Sequence, residues 1–158
     1  MPVRNPRIAN LTLDERSVVR RGPDIEHERQ VAIFDLLEEN HFAPVGEHAG
    51  PYNLHLGIVE NRLTFDIRTG EDMPLGQVIL ALSPFRKIVK DYFEICDSYF
   101  QAIKRSTPSQ IETLDMARRG IHDEGSTLLA ERLKGKIDID HPTSRRLFTL
   151  ICVLHIKG

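Results

Sequence analysis

The sequence predicts an α+β fold: an N-terminal antiparallel sheet of about four to five strands with one early helix, packed against three long C-terminal helices. Three observations carry this expectation. Residues 54–67 alternate apolar and polar with the period of a strand; Ser83-Pro84 switches the chain from period 2 to period 3.6; and the chain after that point keeps the helical period in three segments. Strands first and long helices last argue for segregated layers rather than alternating βαβ units.

Taken in order, Ile8 to Leu13 is a short strand candidate, and a charged link with glycine and proline runs from Asp14 to Pro23. Asp24 offers an N-cap, and Ile25, Ala32, Ile33, Leu36 and Leu37 recur at helical spacing, so Asp24 to Asn40 is a helix. Pro44, Gly46, Gly50 and Pro51 punctuate the next stretch and leave His41 to Val45 at best a short edge strand. The hairpin that follows can be registered from the residues alone. Leu54, Leu56 and Ile58 alternate on one strand, Leu63, Phe65 and Ile67 on the next, and a two-residue loop at Glu60-Asn61 turns both sets to one face. That register sets His55 opposite Asp66 and Asn53 opposite Arg68. Gln77 to Leu82 is nearly continuously apolar, which suggests a central strand.

Serine as N-cap and proline at the first helical position open the next element at Ser83-Pro84. Phe85, Ile88, Val89, Tyr92, Phe93, Cys96, Tyr99, Phe100 and Ile103 form one apolar stripe over it. Thr107 with Gln110 reads as a capping box. Ile111, Leu114, Ala117, Ile121, Gly125 and Leu128 then keep one phase, which favours a single helix to about Lys134 over a break at Gly120. The last helix, from about Pro142 to Ile156, is apolar nearly all round, as suits a helix at the centre of the fold.

The chain has 158 residues, within the size of one domain, and no repeat or linker divides it, so residues 1–158 are expected to form a single domain. A chain this long buries roughly two thirds of its unfolded surface and needs neither disulfide nor metal to be stable. Twenty-one basic against 23 acidic residues leave a net charge of −2, which counts against a nucleic-acid partner. Residues Met1 to Asn10 lack the apolar run of a secretory signal, and Leu147 to Ile156 is about half the ~20 residues that span a bilayer. Cys96 and Cys152 sit in apolar patterns on separate helices, outside any Cys-x-x-Cys pair, and read as buried free thiols in a reducing, cytoplasmic setting.

The chemistry is harder to read. The seven histidines show no helical i, i+4 pair and no His-x-His, so no metal site is expected. His27, between Glu26 and Glu28, reads as solvated helix surface. His55 facing Asp66 is a secondary candidate: an oriented imidazole, or an ordinary cross-strand charge pair. No phosphate loop, dinucleotide-binding turn or Gly-x-Ser-x-Gly elbow is present, so no cofactor is implied. The chemically densest stretch is Arg118 to Ser126. On a continuous helix Arg118, His122 and Ser126 stack on one face, with Arg119 and Asp123 paired beside them and Glu124 next in line. Two arginines and a histidine can hold a phosphate or carboxylate by charge-assisted hydrogen bonds. The same residues also suit a salt-bridged, solvated helix face.

The runs "VKDYFEICDSYF", "TPSQIETLDMARRGIHDEGS" and "RRLFTLICVLH", in that order, resemble a bacterial family of uncharacterised proteins with no assigned activity. The resemblance extends over nearly the whole chain and implies a bacterial cytosolic protein. Its members commonly carry Asn at the position of Asp123, which speaks against a carboxylate role there, whereas His122 and Glu124 match.

With no catalytic machinery in view, the leading expectation is a non-enzymatic interaction or regulatory module. It would bind another cytosolic protein, for instance a polymerising one, through Arg118, Arg119, His122, Asp123, Glu124 and Ser126; self-association stays open. The alternative is a small-molecule enzyme or sensor in which Arg118 and Arg119 clamp a phosphorylated or carboxylated ligand and His122 acts as acid–base.

Overall fold

Alternation over residues 52–69 does what the pleat requires. In a computed structural model, which describes residues 5–14, 23–46 and 48–155, β3 (Tyr52–Val59) and β4 (Arg62–Thr69) pair antiparallel with Leu56 opposite Phe65 and Leu54 opposite Ile67. Tyr52, Leu54, Leu56, Leu63, Phe65 and Ile67 are all buried on the same face. The turn lies at Glu60-Asn61, both at positive φ (51° and 62°), as a type I′ turn requires. The expected register, including His55 opposite Asp66 and Asn53 opposite Arg68, is the observed one.

The sheet as a whole is mixed, which corrects the antiparallel expectation. Its order is β1-β3-β4-β5, and β1 (Ile8–Leu13) runs parallel to β3. Between them the chain crosses over through α1 (Pro23–Glu38) and β2 (Phe42–Pro44), so it re-enters the sheet in the direction it left. Residues 15–22 of the link expected from Asp14 to Pro23, and the cap expected of the Asp24 side chain, lie outside the described residues. The crossover is tied at its end by Asn40: its side-chain amide donates to Ile8 O (3.0 Å) and Leu36 O (2.7 Å) and accepts from Ile8 N (2.7 Å).

Two further expectations need correction. The run Gln77 to Leu82, all but Leu82, belongs to β5 (Pro74–Ala81), and β5 is the outer edge of the sheet rather than a central strand. Its inner residue Leu80 is buried, while Ile79 on the other face is 47% exposed; apolar character came from composition, not from double-sided cover. And β2 does not extend the sheet. It pairs with a strand not expected from the sequence, β6 (Ile137–Ile139), whose three residues are too few for a period to register.

Helix α2 (Ser83–Arg105) buries Phe85, Val89, Tyr92 and Cys96 from the expected stripe, but Ile103 at its far end is 51% exposed. Its N-cap is Leu82, without a side-chain cap bond, and Ser83 and Pro84 are already inside the first turn. Helix α3 (Pro108–Leu133) opens with the expected capping box, Thr107 Oγ1 accepting from Gln110 N and Gln110 Oε1 from Thr107 N, each at 3.3 Å. It runs unbroken through Gly120. Helix α4 (His141–His155) starts at an Asp140 cap, where Thr143 N donates to the carboxylate at 3.0 Å.

α4 is the centre of the fold. It packs on α1 and α3 and also reaches α2 and β3, and Leu147, Phe148, Leu150, Ile151, Cys152, Val153 and Leu154 are all buried. At roughly 1.5–3 kcal/mol for each large apolar side chain removed from water, this single helix supplies a large part of the core's stabilisation. Both cysteines are free and buried, as expected. Burial pushes the Cys96 thiol up to about 11 and the Cys152 thiol well above its ordinary value, so neither is a ready thiolate at neutral pH.

Candidate functional site

Because α3 is continuous, Arg118, His122 and Ser126 do share one helix face, one step of i, i+4 apart. That face, however, turns toward α4. The buried residues of α3 are His122, Gly125, Ser126, Leu129 and Leu133, a phase one step from the apolar series Ile121, Gly125, Leu128 read in the sequence. The reason is contact at small residues. A Cβ on Gly125 would sit 2.1 Å from Phe148 Cζ, so only glycine lets α4 approach this closely. Beside it, Ser144 Oγ donates to Ser126 O at 2.6 Å, and Ser126 Oγ donates to His122 O at 2.8 Å. Ser126 is therefore a fully buried helix–helix hydrogen-bonding residue.

His122 lies where this packing ends and a cleft begins. Its ring is 5.3 Å from the rings of both Tyr92 and Phe148. Its Nε2 is 2.7 Å from Thr149 Oγ1, and that hydroxyl is 3.2 Å from Arg145 O. A helical threonine donating to the carbonyl four residues back accepts from His122 Nε2–H. This tautomer leaves Nδ1 as an acceptor, and Nδ1 is buried with no hydrogen-bond partner among the described residues. Burial, reinforced by the positive charges of Arg145 and Arg118, lowers the imidazole pKa from 6.5 to about 4. His122 is neutral at physiological pH, so it can accept or donate a hydrogen bond but adds no charge.

The arginines are arranged around it. Asp115, one turn earlier on α3, takes Arg118 on one oxygen and Arg119 on the other, both at 2.5 Å. The hydrogen bond from Arg118, with that from Arg119, holds the Asp115 carboxyl below its ordinary range. Arg118 also lies over the Tyr99 ring, its Cζ 4.8 Å from the centroid, and its Nε is buried without a hydrogen-bond partner among the described residues. The expected Arg119–Asp123 pair is not formed. Asp123 instead meets α4, 2.8 Å from His141 Nε2 and 3.7 Å from Arg145 Nη1. Sequence spacing within α3 could not reveal that α4 would start beside Asp123.

Between α1, α3 and α4 opens a cleft of about 450 Å³. Arg118, Arg119 and His122 line it from α3; Arg145, Arg146 and Thr149 from α4; and Glu28, Val31, Ala32 and Asp35 from α1, with Tyr92 contributed by α2. Four guanidiniums thus face two carboxylates in the wall. Arg146 spends one nitrogen on Glu39 O, at 3.2 Å. A guanidinium has five N–H donors, so one such bond leaves most of its fork available. Arg145, Arg146 and Thr149 were missed in the sequence. The signal was present: an Arg-Arg doublet one turn before a threonine, on a helix otherwise apolar nearly all round, is a place where charge must reach a surface. Glu124 is exposed and stands outside the cleft wall.

The secondary pair comes apart. His55 and Asp66 are opposite in backbone register, but His55 Nε2 lies 3.1 Å from Asp72 Oδ1, while Asp66 accepts two bonds from Arg68 at 2.9 and 3.1 Å. Arg68 also reaches Asp72 at 3.2 Å, so the four side chains form a surface charge network on the outer face of the sheet.

A family model described as an uncharacterised protein family, UPF0262, matches residues 5–157. A UPF0262 protein of Bradyrhizobium sp. (strain ORS 278) is 64% identical over 156 residues, covering 98% of this chain and 93% of the relative. One of Rhodopseudomonas palustris (strain TIE-1) is 62% identical over 154 residues, covering 98% and 94%. No solved structure matches the chain. Among the described residues no helix is long and apolar enough to cross a membrane.

Proposed function

The chain belongs to the UPF0262 family of uncharacterised bacterial proteins, and since membership assigns no activity we propose a function from the cleft itself: it binds a small anionic metabolite, a phosphate ester or a carboxylate. The observation that carries this is the convergence of Arg118, Arg119, Arg145 and Arg146 on a concave site of about 450 Å³ beside the neutral His122–Thr149 pair. That volume is within the usual range for small-molecule sites. Arginine forks recognise carboxylate and phosphate oxygens bidentately, and a partly enclosed site strengthens those bonds over their worth in water. The buried Nδ1 of His122 and Nε of Arg118, both without a hydrogen-bond partner among the described residues, are an acceptor and a donor at the edge of the same site. Buried polar atoms of this kind are uncommon and call for a partner. In this reading the chain acts as one domain, in the cytoplasm, and His122 orients the ligand as a hydrogen-bonding group.

The test is a thermal-shift and calorimetric panel of inorganic phosphate, sugar phosphates, nucleotides and di- and tricarboxylates. A ligand at 100 times its dissociation constant stabilises by about 2.7 kcal/mol. The wild type should respond to at least one anion, and the Arg145→Ala/Arg146→Ala double variant should not. A flat wild-type panel rules the reading out.

A second reading, docking of another protein, draws support from the exposed rim: Arg119 is 68% and Asp123 54% exposed, and Glu124 stands beside them. The chain used as bait, with and without Arg119→Ala/Glu124→Ala, separates the two. Equal recovery of the same proteins by both baits counts against it.

A further inference from the structure

The two edges of the four-stranded sheet are treated differently. At β1 the outer edge is occupied: Asn40 bonds both Ile8 N (2.7 Å) and Ile8 O (3.0 Å), and Phe42 N donates to Pro6 O at 2.8 Å. Among the described residues, β5 pairs only with β4. From Met73 to Phe85 the sequence has no charged residue. Of β5, Pro74, Gly76, Gln77, Ile79 and Ala81 are exposed. Long, uncharged, apolar edge strands are what proteins ordinarily blunt with lysine, proline, a bulge or a covering element, because a bare edge is a template for another strand; on β5 Pro74 and the bulge beside it affect only the first residues, before Gln77–Ala81.

We propose that β5 is a self-association edge: a second copy of this chain pairs with it antiparallel across a two-fold axis, joining two four-stranded sheets into one of eight. The register follows from the pleat. Facing residues must point to the same side of the sheet, so the axis must pass through a residue and not between two. With the axis at Ile79, Ile79 meets Ile79 of the second copy, Val78 meets Leu80 and Gln77 meets Ala81. Val78 and Leu80 already lie on the inner face, opposite buried Phe65 and Leu63, so the inner face stays apolar across the seam. Ile79, 47% exposed in one copy, covers its counterpart. Moving the axis to Val78 would put Ile79 opposite Gln77 and lose that contact.

Charge favours the same partner. Glu71, in the exposed turn before β5, comes to the end of the strand where Arg86, exposed in the first turn of α2, follows in the second copy; beside them Asp72 is held by His55 and Arg68 and Lys87 by Asp91. The two-fold makes this acid-to-base juxtaposition twice. Exposed ion pairs add little affinity, but they disfavour parallel pairing, which brings like ends together. The β5 edge and the α1–α3–α4 cleft share no residue, so the inference stands independently of the proposed ligand.

Sedimentation velocity and light scattering over a wide concentration series test it. The wild type should show twice the chain mass, and Ile79→Lys should return the single-chain mass with an unchanged helical circular dichroism spectrum. Ile79→Cys should cross-link to itself under mild oxidation, because directly facing positions lie within disulfide reach. Gln77→Cys should not, since it faces Ala81. The native Cys96 and Cys152 are buried and do not compete. A wild type that stays at single-chain mass throughout overturns the proposal. So does a dimer that survives Ile79→Lys, or one that cross-links through Gln77→Cys and not through Ile79→Cys.

Discussion

Two glycines on one helix, five residues apart, should respond to alanine with opposite signs. Gly120 lies in the exposed stretch of α3, and a Cβ there would meet nothing within 4 Å. Alanine should therefore act through helix propensity and the unfolded state alone, stabilising by roughly 0.5–1 kcal/mol. For a chain of this size that is a rise in Tm of about 1–4 °C. At Gly125 the same gain is available, but the new Cβ would lie 2.1 Å from Phe148 Cζ and 2.4 and 2.5 Å from the flanking ring carbons. Carbon atoms rest about 3.5–4 Å apart, so the ring or the helix must move by more than 1 Å. The ring has nowhere to go: Phe148 is fully buried and packs edge-on against both His122 and Tyr92. Overpacking of this kind costs about 1–3 kcal/mol or more, which outweighs the propensity gain. Gly125→Ala should thus lower Tm by several degrees and disturb the floor of the cleft. Thermal and urea melts of both variants are the assay. A Gly125→Ala protein as stable as the wild type would refute the α3–α4 contact, and a destabilised Gly120→Ala protein would refute the continuous, exposed helix. A Phe148→Leu background should relieve most of the Gly125→Ala loss, a coupling that a double-mutant cycle reads directly.

His122 should leave a mark on the pH dependence of stability. Its pKa is about 4 in the folded chain against 6.5 when solvated, so between those values the unfolded state binds a proton that the folded state does not. Stability should fall as the pH drops below 6.5 and level off near 4, losing about 3 kcal/mol through this group. The difference between wild-type and His122→Gln urea melts across that range isolates it, and parallel curves would show that His122 is not desolvated. Asn40→Ala removes the side chain that satisfies Ile8 N, Ile8 O and Leu36 O; it should cost about 2–3 kcal/mol in urea denaturation, since stranded backbone groups carry their desolvation penalty. Thr107→Ala breaks the capping box of α3 and should cost about 1 kcal/mol. A thermal melt indistinguishable from the wild type would mean that the start of α3 frays in solution.

What the sequence could settle was whatever depends on neighbours within a turn or a hairpin. The β3–β4 register followed because a slip of one residue would have turned Leu56 or Phe65 to water. The Thr107 capping box and the helical period of α2 are equally local. So is the run of apolar residues that places α4 in the core. What only tertiary structure decided was the direction of β1, the edge position of β5, the pairing of β2 with β6 and the phase of α3. The same holds for the site. Arg118, Arg119 and His122 could be named from α3 alone, but their partners could not. Asp123 goes to α4 and not to Arg119, Ser126 is consumed by a helix contact, and Arg145, Arg146 and Thr149 arrive from a segment read only as core. The physical reason is that periodicity reports which residues avoid water but not which element covers them. At Gly125 the covering element is Phe148, and that close contact turns the polar face of α3 inward and leaves the arginine-lined cleft at its margin.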